Sequence, residues 1–240
     1  MKNYSVSYLK RLNSMYGEKT FRRKIDYIKY NLGGYFDAKA ASGLKVLEVG
    51  PGVGEFVSYA QSIGIKHIDI LDKDKDIIVN LKSGYRKSIR NTYSSVSSLK
   101  NSQDRYNFVV LIQVLEHISL DCQAETLNIL YRCLKKNGKL LIVVPNANNP
   151  LGLIERYGDI QHKVSFTSRS MRDLISESGI KNGETKIMSF GIPPYSFINI
   201  MRIVVQKAIH LLIYLLLIAN GGVFYRPLTP NMLVVVEKKG

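Results

Sequence analysis

The sequence predicts an α/β fold built on an open, mostly parallel sheet that is covered by helices on both faces. Three observations lead to this prediction. A short apolar run, Lys45–Val49, leads into three alternating glycines, and a helical pattern begins directly after them at Glu55. Apolar runs and helical patterns then alternate along the chain as far as Val144. The runs contain consecutive Val, Ile and Leu residues, which is typical of strands buried on both faces.

Seven strands are predicted in all, and the last one follows a long insertion. In chain order they are Lys45–Val49, His67–Leu71, a weak serine-rich Tyr93–Leu99, Tyr106–Ile112, Lys139–Val144, Glu184–Phe190 and Met232–Glu237. Apolar residues repeat at helical spacing from Phe21 to Leu32, which predicts a helical N-terminal extension over residues 1–42, ahead of a domain over residues 43–240. Tyrosines crowd the extension, either as a cover over one end of the sheet or as the lining of a substrate pocket. They are Tyr4, Tyr8, Tyr16, Tyr27, Tyr30 and Tyr35.

The formal net charge of +15, from 34 basic and 19 acidic residues, concerns partners rather than fold. Nucleic acid, an anionic membrane and phosphate-bearing substrates all suit such a charge. No long basic run marks a nucleic-acid-binding tail, so nucleic acid is disfavoured as a partner. Cys122 and Cys133 have neither metal-ligand nor redox spacing, and the N-terminus lacks the apolar segment of a signal peptide. These features predict a cytoplasmic protein.

The turn after the first strand distinguishes two kinds of nucleotide site. A dinucleotide fingerprint has the spacing G-x-G-x-x-G, because the pyrophosphate sits on the helix N-terminus. Here Gly50, Gly52 and Gly54 alternate, and Glu55 stands at the helix start. Glu48 adds a second carboxylate just before the turn. The turn therefore suits a cationic or neutral ligand that approaches the backbone closely, rather than a pyrophosphate.

An acidic residue at the end of the second strand predicts contacts to a ribose. Asp72 lies about 20 residues after Gly50, the distance at which nucleotide-binding folds place a carboxylate against ribose hydroxyls. An ionised carboxylate accepts hydrogen bonds at both oxygens, which matches a vicinal diol. The nearby alternatives are Asp69, Asp74 and Asp76.

The pattern E-x-G-x-G-x-G, formed by Glu48 and the three glycines, resembles motif I of the class I S-adenosylmethionine-dependent methyltransferases. The resemblance covers roughly residues 44–190 and the final strand. It implies S-adenosyl-L-methionine as the cofactor and a Rossmann-like seven-stranded sheet, mostly parallel with an antiparallel last strand. It also implies that the acidic residue lies near the methionine amino group, and that the glycine turn lies under the ribose and methionine. The cofactor-binding residues expected on this basis are Glu48, Gly50, Gly52, Gly54, Asp72, Lys73 and Gln113.

Two departures from related patterns bear on the site. Many methyltransferases carry an aspartate against the adenine at the end of the third strand. Here Ser95, Ser97 and Ser98 stand in that region, so the adenine contact is left open or falls to the backbone. The segment after the fourth strand, Gln113–Ile118, resembles that of ubiquinone-biosynthesis O-methyltransferases, which hold a divalent cation with E-x-x-E-H. Gln113 replaces the first carboxylate, and an amide weakens a site for a hard cation, so no metal is predicted.

The loop Asn146–Ser165 follows the fifth strand, where doubly wound sheets bind their ligands, and it holds the expected catalytic residues. His162 is a candidate general base with Asp159 as the group that orients it, and a structural loop histidine is the alternative. His117, after the fourth strand, is a second candidate base, or else a cap of the following helix. Glu116 also lies near the strand ends.

An apolar segment, Phe197–Ala219, lies within a predicted helical insertion over residues 193–225 that separates the last two strands. Its polar residues Asn199, Arg202, Gln206 and His210 step by three and four, so they form one stripe of a helix. A helix in a membrane interface and a dimer or core helix both fit this pattern. A membrane-spanning anchor fits less well, because the seventh strand has to return to the sheet and the first half of the segment is too polar.

The downstream segments, from Asn146 through Leu228–Val235, resemble small methyltransferases of bacterial surface-polysaccharide gene clusters. This resemblance implies an O-methyltransferase that acts on a sugar hydroxyl of a glycan or lipid-linked glycan, at the inner face of the cytoplasmic membrane, where basic charge suits an anionic leaflet. A quinone or other small-molecule O-methyltransferase is the alternative. An RNA methyltransferase is favoured by charge alone, since no N-P-P-Y motif follows the fourth strand. A non-catalytic cofactor-binding partner and a homodimer also remain open.

Overall fold

The computed structural model describes residues 17–180, 183–222 and 225–239, and these form one seven-stranded sheet with the strand order β3-β2-β1-β4-β5-β7-β6. Neighbouring strands are parallel except at β7, which is antiparallel to both β5 and β6. The strands are β1 Lys45–Val49, β2 His67–Leu71, β3 Ile89–Tyr93, β4 Tyr106–Ile112, β5 Leu134–Pro145, β6 Gly183–Phe190 and β7 Asn231–Lys238. The predicted α/β class, the mostly parallel sheet and its antiparallel last strand are confirmed.

Helices cover both faces of the sheet, and most of them follow a strand in the chain, as the alternating pattern predicted. They are α1 Glu18–Leu32, α2 Glu55–Ser62, α3 Lys75–Gly84, α4 Leu120–Arg132, α5 Gly152–Gly158, α6 Ser168–Glu177 and α7 Phe197–Ala219. Thr167 caps α6 by accepting a hydrogen bond from the Ser170 backbone, as expected of a threonine at a helix start. The short helix α5 was not predicted and lies within the loop that follows β5.

The two faces of the sheet carry separate apolar cores because alternate residues of each strand point to opposite sides. Val109 and Leu111 of β4 belong to one core with residues of α4 and α6, whereas Phe108 and Val110 belong to the other with residues of α1, α2 and α3. This burial on both faces explains the continuous apolar runs of the central strands. The end of β4 is therefore packed on both faces, by Leu111 in one core and by Ile112 against the other.

The third strand is where the sequence prediction was wrong. The predicted strand Tyr93–Leu99 overlaps β3 only at Tyr93, and Val96–Leu99 instead forms a turn of 3₁₀ helix. The Ser95 hydroxyl accepts a hydrogen bond from the Ser97 backbone and caps this turn. Serine side chains compete for backbone groups in this way and favour turns over strands, so the strand lies earlier in the chain.

The described part of the N-terminal extension, from residue 17 onward, is tied to the other end of the domain. Ile28 and Leu32 of α1 are buried, and the Asn31 side chain exchanges two hydrogen bonds with the Gly191 backbone, just after β6. Gly33 follows Leu32 as the C-cap residue of α1. The predicted roles of Tyr4, Tyr8 and Tyr16 fall outside the described residues.

Candidate functional site

A cavity of about 570 Å³ opens at the carboxyl ends of β1 and β4. Its lining includes the glycine turn after β1, the end of β4 and the loop after β5, and β4 lies between β1 and β5 in the sheet. One side is α1, and Phe190, Ile192 and Arg202 close the rim near the start of α7. Open α/β sheets bind ligands at this position, outside the carboxyl ends of the strands. The expected site residues that line the cavity are Glu48, Gly50, Gly52, Gln113, His117, Asp159 and His162.

Glu48 presents a buried carboxylate to this cavity. The residue is 3% exposed, and its Oε2 atom makes no hydrogen bond within the described part of the chain. Burial raises the pKa of Glu48 well above its usual value, and the nearby carboxylates of Glu55 and Asp72 raise it further. A buried carboxylate without a partner is costly, and a cationic group in the cavity would satisfy it. The ammonium of a bound methionine moiety is such a group, so Glu48 fits the cofactor that the motif implies.

The three glycines of the turn are needed for different structural reasons. All have positive φ, at +67° for Gly50, +54° for Gly52 and +93° for Gly54. A Cβ on Gly50 would lie 2.5 Å from a Val114 methyl group, and one on Gly54 would lie 2.6 Å from a Leu81 methyl group, so packing requires both. A Cβ on Gly52 would meet no atom closer than 3.7 Å. Packing therefore does not exclude a side chain at Gly52, which lines the cavity, so a ligand that approaches the backbone there is the remaining reason for a glycine.

Asp72 lies at the end of β2, beside the glycine turn, but it does not line the cavity. It is half-buried, and its Oδ1 atom accepts a hydrogen bond from the Asp74 backbone. Burial raises the pKa of Asp72 above its usual value. Lys73 is exposed beside it and outside the cavity lining. Both assignments stay predictions.

The alternative acidic residues have structural contacts instead. Asp69 is fully buried and bonds to Asn91, the Tyr106 hydroxyl and Arg105. Asp74 accepts a hydrogen bond from the Asp76 backbone and caps α3. Asp72 and Asp74 each accept one backbone hydrogen bond, so these contacts disfavour Asp69 most clearly as a ribose acceptor.

Gln113 occupies a strained position directly after β4. Its φ is +56°, which is uncommon for a residue with a side chain and is a feature of functional sites. The side-chain amide donates a hydrogen bond to the Asn231 side chain at 2.9 Å, and the backbone amide donates to the Val143 carbonyl. Gln113 thus joins the end of β4 to the start of β7.

His117 and His162 both line the cavity, and their ring centroids lie 4.7 Å apart. His162 Nδ1 contacts the Glu155 carbonyl oxygen at 2.7 Å. A carbonyl only accepts, so Nδ1 carries the proton, and neutral His162 has its lone pair on Nε2. Burial lowers the pKa of His117, a hydrogen bond that its ring donates to the Gln161 backbone carbonyl raises it, and the neighbouring His162 lowers it again.

Backbone contacts hold the histidine pair together. The Lys163 backbone amide donates to the Glu116 carbonyl at 2.8 Å, which attaches the loop after β5 to the segment after β4. The Arg156 guanidinium of α5 donates to the carbonyls of His162 and Lys163. Asp159 lies within electrostatic reach of both Glu116 and His117, and its side chain accepts a hydrogen bond from the Gln161 backbone. Its predicted role in orienting His162 stays a prediction, because the observed contact at Nδ1 is the Glu155 carbonyl.

Glu116 completes a cluster with the two histidines that has the donor atoms of a metal site. One donor atom from each of Glu116, His117 and His162 lies within 4.8 Å of the others. Glu116 is 0% exposed, and neither carboxylate oxygen makes a hydrogen bond within the described residues. Burial raises the pKa of Glu116 to about 8. Two imidazoles and a carboxylate suit a first-row transition metal better than Mg²⁺, whereas the sequence predicted no metal.

The cavity lining includes residues that sequence reasoning missed, such as Lys24, and one of the tyrosines that it considered. Lys24 and Tyr27 of α1 line it, with the Lys24 ammonium 3.0 Å from a Glu55 carboxylate oxygen and the Tyr27 ring stacked on Phe190. The pocket role considered for the tyrosines is thus supported for Tyr27. Arg202 and Asn231 also line the cavity. The position of Asn231 at the start of a strand was the available signal, whereas the α1 contacts depend on tertiary packing.

Comparisons with known proteins agree with this geometry. Residues 16–184 match the family model described as a methyltransferase domain. An Archaeoglobus fulgidus S-adenosylmethionine-dependent methyltransferase is 19% identical, with 92% of this chain and 97% of that chain covered and a TM-score of 0.62. A Mesorhizobium loti enzyme described in the same terms is 13% identical, with 88% and 98% covered and a TM-score of 0.60.

A Nostoc punctiforme protein described as an O-methyltransferase is 13% identical, with 99% of this chain and 63% of that chain covered and a TM-score of 0.63. No curated protein sequence matches this chain significantly. At these identities the structural neighbours establish the fold, while the matched model covers more than half of the chain and establishes the family. The chain therefore belongs to the methyltransferase domain family, and it is an enzyme that methylates its substrate with S-adenosylmethionine.

Proposed function

We propose that this enzyme methylates a sugar hydroxyl of a glycan or lipid-linked glycan precursor, at the inner face of the cytoplasmic membrane. The observation that supports the proposal is one cavity that is lined both by Glu48 and the glycine turn, here called the donor wall, and by the pair His117 and His162, here called the acceptor wall. A sugar hydroxyl is a weak acid, so methyl transfer to it benefits from a base. The histidine pair offers that base in the same cavity as the donor residues.

Carboxylates and exposed backbone on the donor wall would hold different parts of the cofactor. Glu48 would accept the ammonium, Gly52 would let the ligand lie against the backbone, and Asp72 would accept hydrogen bonds from the ribose. Gln113 and Lys73 complete the proposed contacts. When bound, S-adenosylmethionine supplies a methyl group on a sulfonium for an in-line displacement. Alignment of the acceptor with that methyl group can itself be worth about 7–11 kcal/mol.

The acceptor wall would bind the hydroxyl and take up its proton. His162 is the proposed base, because its Nδ1–H is held by the Glu155 carbonyl and its Nε2 is left to accept a proton. Asp159 would stabilise the resulting imidazolium. The lowered pKa of His117 keeps it neutral at physiological pH, so it would bind the hydroxyl without repelling the charged ring. If His162 proves dispensable, His117 takes the role of base.

The test is methyl transfer from labelled cofactor to a panel of free sugars, nucleotide sugars, polyprenyl-linked glycans and phenolic quinone precursors. We expect a methyl ether on a sugar oxygen by mass spectrometry. His162→Asn should lower kcat by about 10²–10⁴-fold while the affinity for S-adenosylhomocysteine is unchanged. His67→Asn, which changes a histidine at the start of β2 and outside this cavity, is the matched control. Methylation of a phenolic precursor but of no sugar would assign the alternative quinone-type function.

Chelation separates a histidine base from a metal-bound acceptor. The proposal predicts that enzyme dialysed against EDTA keeps its activity, because the base is an imidazole. Loss of activity that Mn²⁺ or Zn²⁺ restores would instead make Glu116, His117 and His162 ligands of a cation that lowers the pKa of the bound hydroxyl.

A further inference from the structure

The long helix α7 has its apolar side turned away from the protein. None of its 23 residues is buried. The residues that are partly shielded recur at helical spacing and form one stripe, the inner stripe, which faces the domain. They are Asn199, Ile203, Gln206, His210, Ile213, Tyr214 and Leu217. Apart from Arg202 and Lys207, every residue outside this stripe is apolar and exposed, for example Leu211, Leu212, Leu215 and Leu216 at 55–62% exposure. We call this side the outer face.

The polar groups of the inner stripe attach α7 lengthwise to the domain. The Asn199 amide in the first turn donates to the Pro193 carbonyl. His210, past the middle of the helix, hydrogen-bonds to the Leu228 backbone, and the Tyr214 ring lies 5.2 Å from the Arg226 guanidinium. These contacts spread over four turns, so the helix lies along the domain, beside β6. A recess of about 310 Å³ separates the helix from that strand.

By length and composition alone, α7 could cross a membrane, since it has 23 residues and a mean hydropathy of 1.8. Among the described residues it is the one helix that meets both conditions. The lengthwise attachment argues against crossing, because His210 and Tyr214 are fixed to residues that lead directly into β7. A helix that lies flat in the interface with its apolar side in the acyl region satisfies both observations.

Charge distinguishes a bilayer from a second copy of the chain. No aspartate or glutamate occurs between Glu184 and Glu237, whereas Lys186, Arg202, Lys207 and Arg226 fall in that interval. Arg202 and Lys207 are exposed and flank the inner stripe on opposite sides, which places their charges at the borders of the outer face. A symmetric dimer through this face would bring like charges together with no acidic partner. Anionic headgroups match this arrangement, with the apolar face below them and the basic side chains at their level.

We propose that α7 docks the enzyme on an anionic lipid bilayer through this outer face, with its polar side bound to the domain. Arg202 lines the rim of the large cavity and also borders the outer face, so docking would turn the cavity mouth toward the headgroups. The docking itself does not depend on the acceptor or on catalysis. It is therefore tested separately from the proposed function.

The chain contains no tryptophan, so each variant with one tryptophan carries a single reporter. Leu212→Trp lies on the outer face, and Val79→Trp on α3 is the matched control, because Val79 is an apolar residue of similar exposure at 68%. With vesicles of phosphatidylcholine and phosphatidylglycerol, we expect Leu212→Trp emission to shift to the blue and to be quenched by brominated acyl chains. Val79→Trp should show neither change. The absence of both changes in Leu212→Trp would overturn the proposal.

Sedimentation with the same vesicles tests the unlabelled chain. Wild-type protein should bind phosphatidylglycerol vesicles and lose binding on pure phosphatidylcholine. Leu212→Glu should abolish binding and Val79→Glu should not, while both variants bind S-adenosylhomocysteine normally as proof of folding. Lys207→Gln should lower partitioning by about fivefold, which corresponds to about 1 kcal/mol per basic residue. A dimer that Leu212→Glu dissociates, without vesicle binding by the wild type, would assign the outer face to a second copy and overturn the proposal.

Discussion

The two walls of the cavity are built in different ways. The donor wall consists of strand ends and one turn, so Glu48 and Gly52 are fixed by the backbone of a buried parallel sheet. The acceptor wall consists of a loop held by backbone hydrogen bonds, such as that from the Lys163 amide to the Glu116 carbonyl, and by the Arg156 side chain. A fixed donor wall with a loop-built acceptor wall lets one fold keep its methyl donor while the acceptor changes.

The largest effect on the donor wall is expected for Glu48→Gln. The amide keeps the shape but removes the charge that would pair with the cofactor ammonium, and hydrogen bonds to charged groups are worth about 1.5–3 kcal/mol, or about 10–150-fold in affinity. Calorimetry with S-adenosylhomocysteine measures the loss. Asp173→Asn, at an exposed position on α6, should bind normally. Unchanged affinity in Glu48→Gln would move the ammonium contact away from this wall.

Two glycine variants test whether the turn serves packing or binding at each position. Gly54→Ala places a methyl group 2.6 Å from Leu81 and should lower the free energy of unfolding by about 1–3 kcal/mol. Gly52→Ala places its methyl group in the cavity lining at an ordinary contact distance of 3.7 Å from Glu55 Oε2, and it should cost less stability but more cofactor affinity.

Thermal unfolding and calorimetry on both variants check this difference. Gly34→Ala, which meets no atom within 4 Å, is the control for alanine itself. Equal stability losses in Gly52→Ala and Gly54→Ala, with equal binding, would contradict separate roles.

Cofactor affinity should depend on pH through Glu48. The pKa of this carboxyl is raised, so in the ligand-free protein it is protonated over part of the range above its ordinary value. A cationic ligand favours the ionised form, so binding releases a proton, and affinity rises with pH by at most about tenfold per unit until Glu48 is ionised. Calorimetry in buffers with different ionisation enthalpies measures the proton release. Glu48→Gln should release none from this position, and an unaltered release in that variant would assign the proton to another group.

The smallest effect is expected at the ion pair between Lys24 of α1 and Glu55 of α2. Lys24→Met removes the pair with Glu55, which is partly exposed to solvent, and such pairs contribute little, so cofactor affinity should fall by no more than about fivefold. Lys19→Met, on the exposed side of the same helix, is the control. A much larger loss would show that α1 is part of the donor site rather than its cover.

Sequence reasoning reached the donor wall because its residues are close together in the chain. Lys45–Val49 and the glycines form one strand-turn-helix unit whose pattern is local, and the same holds for the strands at His67–Leu71 and Tyr106–Ile112. The bounds of α7 were also predicted correctly, since a long apolar run without breakers is a strong helical signal.

The acceptor wall was only partly predictable, because its contacts join distant segments. The pairing of His162 with His117 depends on the hydrogen bonds between residues 163–164 and the Glu116 carbonyl, which no local pattern indicates. The prediction of the third strand was wrong for another reason. A serine in Tyr93–Leu99 caps a turn, and serine side chains favour turns over strands. The polar stripe of α7 was visible in the sequence, but not that it faces the domain.

The exposed apolar outer face of α7 also changes how the enzyme would find its acceptor. An enzyme docked on a bilayer searches in two dimensions, and an acceptor anchored in that bilayer is confined to the same thin layer. Confinement of this kind acts as an effective concentration, which reaches the millimolar range for tethered partners. Weak recognition of the sugar itself would then suffice for turnover, and the same enzyme would hardly methylate the identical sugar free in solution.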